Sequence, residues 1–480
     1  MGAELKKKAL SGVVWGFFEK FSMQLFSFVQ GIILARLLLP SDFGLIAMAG
    51  VFIAVSHILI DSGFSSALIR NNHRTNLDFS TVFVINVCMS SLMALLLYVS
   101  APFIAVFYNE PLLLNIIRVN GLLIFLGSLI SVQRVKMVAE LRFRQKSLMS
   151  IVVSVVSGVT SIVLALLGFG VWSLIYPSFL SFLLNVCFFW YFQRWFPGIK
   201  FSMDSCKKHF GFGSKLLASS IINTIYGNLY PIVIGKKFSS TSLGYYSKAS
   251  SYAGLPATTL TEVVGSVAYP ILSEIQDDDD ALIRAYRRML RLSAFVLFPV
   301  MIGIASVSRP LILLMITEKW EPCIIYLQIL CFSMMLYPIH ALNLQLLKVK
   351  GRSDLFLRLE ILKKILAICV LFISAPFGLV YMCIGSVISS YLCLGINTYY
   401  TGKLLSYGFV EQAKELLPTF FYSLSMGVLV YFCIQSFSSY YVQLLFGVSI
   451  GATYYYSLSR IIKSEDLYYL VEIIKNKMHK

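Results

Sequence analysis

The first apolar stretch of the chain, residues 11–38, carries an acid and a base side by side, Glu19 and Lys20, followed by Gln24, Ser27 and Gln30. Lys20, Gln24 and Ser27 recur at i, i+4, i+7 spacing, which aligns them on one face of a helix. A rise of 1.5 Å per residue puts Glu19 and Lys20 about 13 Å into that stretch. Inside a membrane such groups are costly unless they meet a partner or a wet cavity. Two readings stay open: the pair lines a hydrophilic cavity, or the charges neutralise each other or snorkel to the nearer surface. Two hundred residues on, Ser219, Ser220, Asn223, Thr224 and Asn228 offer a second polar face at comparable depth.

Other charges interrupt apolar stretches. Arg36 and Lys236 end the first and seventh; as cations they can attract an anionic headgroup or cap helix C-termini. Arg118 and Arg309 can offer paired donors to a diphosphate, or form buried structural pairs. Asp61 and Glu262 sit late in the second and eighth stretches, where a carboxylate could carry a coupling proton or sodium ion. His340 and Asn343 are weaker signals. The acidic run Asp277 to Asp280 precedes an amphipathic segment rich in Arg, so helix capping explains it better than a metal, whose spaced oxygen ligands are missing. Phosphate-binding G-x-x-x-x-G-K-[ST] and zinc-binding H-E-x-x-H patterns are absent, so no catalytic residue, metal site or cofactor is assigned and an enzyme is not expected.

The elements that must carry these groups follow from composition. Of 480 residues, 58% are hydrophobic and 13% charged, against about 25% charged in soluble domains. Apolar runs of about 20 residues recur, each long enough to span a bilayer as a helix. Fourteen are expected, at 11–38, 43–61, 79–107, 112–132, 148–168, 171–193, 214–236, 243–272, 291–316, 322–347, 355–375, 377–401, 413–436 and 440–459. The net charge of +17 does not point to nucleic acid, because Lys and Arg cluster between the apolar runs. With the N-terminus cytoplasmic, thirty of the 40 Lys and Arg fall in cytoplasmic segments and four (Lys236, Lys237, Lys248, Lys319) in outer loops. That bias sets both termini in the cytoplasm. The basic flank Met1 to Lys8 leads into a retained first helix rather than a cleaved signal. The nine cysteines, scattered and mostly in apolar runs, read as small buried hydrophobes.

An internal repeat orders the spans. IILARLLLPSDFG (32–44) lies over IVIGKKFSSTSLG (232–244) at an offset of 200, aligning Arg36 with Lys236 and Gly44 with Gly244. GFGVW (168–172) and QRVK (133–136) find counterparts in PFGLV (376–380) and QLLK (345–348). Six spans separate the copies, so both point the same way, as in transporters built from parallel repeats. The expected organisation is a six-helix lobe over 1–193, a second over 205–405, two additional helices over 413–460 and an amphipathic tail over 461–480.

Several stretches give the chain a family likeness: ILARLLLPSDFGLIAMAGVF (33–52), LIDSGFSSALIR (59–70), LRFRQKSLMS (141–150), LGFGVWSLI (167–175), IGKKFSSTSLGYYSKAS (234–250), VAYPILSEIQDD (267–278), EKWEPCIIYLQIL (318–330) and LKVKGRSDLFLRLEILKK (347–364). On these it resembles bacterial oligosaccharide flippases, the Wzx-type polysaccharide transporters of the multidrug/oligosaccharidyl-lipid/polysaccharide exporter superfamily, in particular the colanic-acid-exporter-like branch. The resemblance implies an all-α polytopic inner-membrane protein, two six-helix lobes forming a V-shaped central cavity, and ion-coupled alternating access. It implies an undecaprenyl-diphosphate-linked oligosaccharide as substrate, surrounding membrane lipids, and polysaccharide polymerase and chain-length proteins as neighbours. The family has no sharp motif from which a binding residue carries over. A lipid II or drug/cation transporter of the same fold, or a membrane polysaccharide polymerase or ligase, are the competing readings; short outer loops tell against the enzymes.

Overall fold

The computed structural model describes residues 2–61, 75–193 and 220–478, with isolated positions between them. Every regular element among the described residues is helical, as hydrocarbon demands of segments that must satisfy their own backbone polar groups. The chain begins with α1 (Gly2–Leu37), α2 (Pro40–Asp61), α3 (Asn76–Tyr108), α4 (Leu112–Ala139), α5 (Phe143–Leu166) and α6 (Tyr176–Gln193). Residues 220–227 are helical and pass through a turn at Asn228 into α7 (Leu229–Lys237) and α8 (Ser240–Glu274). There follow α9 (Asp279–Ser306), α10 (Ser308–Ile316), α11 (Cys323–Met334), α12 (Tyr337–Val349), α13 (Ser353–Ser374), α14 (Leu379–Leu405), α15 (Phe409–Ile434), α16 (Tyr440–Ile461) and α17 (Glu465–Met478).

Among the described residues nine stretches are long and apolar enough to cross a membrane: α2 to α6, α9, α11 with α12, α14 and α15. These nine fit within the fourteen expected spans. Of the others, α1, α8, α13 and α16 are helices of at least 22 residues. The seventh span lies partly outside the described residues.

The chain divides into two compact units, Met1–Gly244 and Tyr245–Lys480, the division falling inside α8. In the first unit α3 packs along α4, and α5 lies between α1 and α6. Phe79, Val82, Val132 and Val135 form one part of its core, and Ile130, Met137, Met149 and Phe189 another. Small polar pairs join α3 to α4: Ser90 Oγ donates to Ser128 Oγ at 2.8 Å, and Asn86 Nδ2 to Ser131 Oγ at 3.0 Å, the short-range polar contacts that let membrane helices approach closely. In the second unit α9 packs on α15, α13 on α14, and α15 on α16, with Val307, Met426, Val430 and Ile434 buried among them.

Two spans of the second unit differ from their expected form. The amphipathic segment after the acidic run and the ninth span are one helix, α9, which then breaks at Val307 before α10. Asp278 caps α9, accepting from the Ala281 N–H at 2.9 Å, as the acidic run suggested. The tenth span is broken into α11 and α12 by a turn at residues 335–336, just before Pro338 in the first turn of α12, which has no N–H for the carbonyl four residues back. The C-terminal tail forms α17, held to α9 by Arg291, which meets Glu465 at 2.9 Å and Asp466 at 3.3 Å. Burial pushes the Asp466 carboxyl above the ordinary aspartate range, with Arg291 opposing the shift.

Within the first unit the two copies of the repeated segment meet. A Cβ on Gly44 of α2 would collide with the backbone carbonyl of Ser240, and a Cβ on Gly244 with that of Pro40. The pairing is reciprocal, residue for residue at the offset of 200, as a local two-fold relation produces. Because the obstacle is backbone on both sides, no rotamer change relieves it. Gly44→Ala and Gly244→Ala should each cost about 1–3 kcal/mol through overpacking. Gly50→Ala, which meets nothing within 4 Å, should be neutral or gain up to about 1 kcal/mol. Melting of the purified protein in detergent ranks them; three equal melting points would show that the close approach does not matter.

Candidate functional site

Glu19 is the residue around which a site is built. Its partner is Lys146, near the start of α5, and not the adjacent Lys20: the ammonium donates to Oε1 at 2.9 Å and to Oε2 at 3.1 Å. The buried Ser147 adds an Oγ donor to Oε2 at 2.8 Å. The carboxylate retains only 13% of its side-chain exposure and Lys146 24%, so neither charge is left to bulk solvent. Arg134, from the last turns of α4, lies within electrostatic reach of the same carboxylate.

These groups open on a cavity of about 390 Å³ lined entirely by the first unit. Glu19 and Met23 come from α1 and Arg134 from α4. One face of α5 supplies Lys146, Ser150, Ser154 and Ser157, and α6 adds Ser181 and Asn185. The volume lies at the lower end of the range for small-molecule sites. Two cations face one carboxylate over a wall of hydroxyls and an amide. Such a lining can hold an anion and offer hydrogen bonds to hydroxyl groups, but it has no paired acid and base, activated nucleophile or cofactor cradle.

The remaining expected residues do not line this cavity. Lys20 and Gln24 are exposed on other faces of α1, and Arg36 is exposed at its last turn. Arg118 stacks its guanidinium 4.4 Å over the Tyr98 ring. Asn223 is exposed, and Asn228 Nδ2 donates to the Thr224 carbonyl at 2.8 Å. Lys236 donates to the Phe107 carbonyl at 2.6 Å while lying over the Phe107 ring, so it caps the end of α3 rather than that of its own helix. In the second unit Arg309 pairs with Glu321 at 2.7 Å, both exposed, and Glu262 is exposed on α8. The side chain of Asp61, like Ser219, lies outside the described residues.

The second unit contains a polar network of its own. Asn343 Nδ2 donates to Gln412 Oε1 at 3.1 Å, Gln412 Nε2 returns a bond to Asn343 Oδ1 at 3.1 Å, and Thr401 Oγ1 joins that oxygen at 2.8 Å. His340 bridges Asn397 at 3.0 Å and Ser390 at 3.2 Å. Asn343, Gln412 and Thr401 are buried, so their role is to tie α12, α14 and α15 together.

Residues 33–325 match the sequence profile of a family described as polysaccharide biosynthesis protein. The chain is 26% identical over 358 residues to the teichuronic acid biosynthesis protein TuaB of Bacillus subtilis strain 168, covering 73% of each. It is 27% identical over 370 residues to the lipopolysaccharide biosynthesis protein WzxC of Escherichia coli K12, covering 76% of this chain and 74% of that one. Among solved structures, lipid II flippase MurJ in an inward closed conformation superposes with a TM-score of 0.71 at 14% identity, over 94% of this chain and 99% of MurJ. At that identity the likeness establishes the fold.

Asn343→Leu should strand Thr401 and Gln412 without their shared acceptor and cost about 1–3 kcal/mol. A lowered melting point in detergent is the expected result. An unchanged one would mean that the network is not structural.

Proposed function

Because the chain belongs to the polysaccharide biosynthesis protein family, we propose that it is a flippase that moves undecaprenyl-diphosphate-linked oligosaccharide units from the cytoplasmic to the periplasmic leaflet of the inner membrane, for assembly of a surface polysaccharide. The observation that carries this reading is the hydroxyl-rich cavity with an excess of positive charge, set in an otherwise apolar helical protein. A lipid-linked oligosaccharide divides along the same line: its diphosphate and sugars need donors and cations, while its polyprenyl tail can stay in hydrocarbon. The chain thus acts as a transporter and catalyses no covalent step.

In this reading both termini are cytoplasmic, the two six-helix repeats alternate access to either side, and an ion gradient drives them through Asp61 and Glu262. Arg36 and Lys236 draw the anionic headgroup at the outer side, with Arg118 and Arg309 as further diphosphate contacts. The Lys236 ammonium spends one donor on Phe107 and has three in all, which leaves it able to hold a phosphate oxygen. Polymerase and chain-length proteins of the assembly route are its expected neighbours.

Purified protein in liposomes carrying an undecaprenyl-diphosphate oligosaccharide should speed leaflet exchange under an imposed ion gradient, relative to protein-free liposomes. Folded protein that exchanges drug cations but not this lipid would overturn the proposal. Removing charge at Arg36 and Lys236 together should slow exchange more than either change alone, and full transport by the double variant at normal expression would remove their headgroup role. A cysteine placed at Phe107 should react with an impermeant thiol reagent from outside and one at Glu140 only from inside; the reverse pattern would invert the topology.

A further inference from the structure

Lys146 and Arg134 stand at the ends of α5 and α4 that join through residues 140–142, the connection whose basic residues mark it as cytoplasmic under the topology proposed above. Their cavity therefore lies toward the leaflet from which a lipid-linked substrate would load. The anion now seated on Lys146 belongs to the protein itself: Glu19 takes both of the ammonium hydrogen bonds given at 2.9 and 3.1 Å, with Ser147 as a further donor. Phosphate oxygens and carboxylate oxygens make the same charge-assisted bonds to such donors.

We infer that this cavity is a loading subsite for the phosphate groups of the substrate headgroup, and that Glu19 is its resident competitor, an internal anion that the incoming phosphate displaces from Lys146. The inference rests on the lipid-linked substrate reading. Arg134, already within reach of the Glu19 carboxylate, gives the arriving phosphate a first cation before the pair opens. The hydroxyls of Ser150, Ser154 and Ser157 then face whatever follows the phosphate, and they suit a sugar ring. With Glu19 seated, the positive charge of the cavity is partly masked, so a free anion such as pyrophosphate is held weakly, and a ligand that also engages the serine face displaces the carboxylate more readily.

A structural ion pair and a competitor make opposite forecasts. If the pair only braces α1 against α5, removing either partner harms both fold and binding in the same direction. If Glu19 competes, the two removals have opposite signs. The test is binding of inorganic pyrophosphate to the purified full chain, with melting recorded in parallel. Glu19→Gln should tighten binding about tenfold, and Lys146→Gln and Arg134→Gln should each weaken it about tenfold, the size expected for one charge-assisted bond. Should Glu19→Gln fail to fold, Ser147→Ala, which frees the carboxylate without touching the cations, should tighten binding about threefold, a smaller gain than removing the charge. Same-sign effects across the set, or no effect of Arg134→Gln in folded protein, would overturn the inference.

A second arm separates the sources of phosphate. A polyprenyl-diphosphate lipid in nanodiscs should compete with pyrophosphate. Displacement by free phosphate or pyrophosphate but never by the lipid would reassign the cavity to a soluble anion and sink the loading role. Exchange of lipid-linked oligosaccharide by a protein whose pyrophosphate binding ignores all of these variants would remove the subsite and leave the flippase reading standing. Opposite-sign effects on pyrophosphate without any lipid exchange would do the reverse.

Discussion

An ion buried in a membrane helix must bring its own solvent, and Glu19 does so with Lys146 and Ser147. Much of the first unit is arranged around that requirement. The bond joins α1, which hydropathy alone would not commit to the membrane, to α5, which is strongly apolar apart from one hydroxyl-bearing stripe. It fixes which face of α5 turns toward α1, and so which serines line a cavity instead of meeting lipid. An unpaired carboxylate there would be drawn to the surface; the paired one can stay within the helix bundle.

How much of this the sequence discloses depends on what each residue competes with. Apolar runs announce their helices because nothing but hydrocarbon calls for 20 such residues together. Gly44 and Gly244, which the offset of 200 aligns, each approach a backbone carbonyl, that of Ser240 and that of Pro40 respectively. The partner of Glu19 was harder to see. Lys146 and Arg134 stand beside a run of basic residues that topology accounting assigns wholesale to a cytoplasmic connection, yet both belong to helices. A signal was present: Ser147, Ser150, Ser154, Ser157 and Ser161 follow at intervals of three and four, a helical stripe with Lys146 beside its first member. Polar stripes in apolar helices mark inward faces, and this one extends from the charged pair.

The broken tenth span was concealed for a different reason. Hydropathy averages over a window and does not register that α11 ends and α12 begins, since both halves are apolar. A turn at residues 335–336 separates the halves just before Pro338, which lacks an N–H, and His340 and Asn343 follow in α12. Those two polar residues then find Asn397, Ser390, Thr401 and Gln412 on neighbouring helices. Sequence can show that a buried Asn exists but not which distant amide will satisfy it; that is set by packing at separations of more than fifty residues.

The placement of polar groups among the helices carries the last step. Polar groups occur both on the nine apolar stretches, among them Arg134 and Lys146 on α4 and α5, and on helices such as α1, which carries Glu19. Each such helix must keep part of its surface on protein or on water. A protein that only needed to remain in the membrane would gain nothing from such helices, because each buried polar group must find a partner to offset its desolvation. They make physical sense where the cargo is itself polar and the hydroxyls and charges exchange internal partners for those of the cargo. In the first unit the inferred exchange has a candidate place: a cavity beside which Glu19 sits on Lys146 through charge-assisted bonds of the kind a phosphate also makes. Transport needs binding that forms and then lets go. A site with a resident competitor can meet both demands with the same few residues.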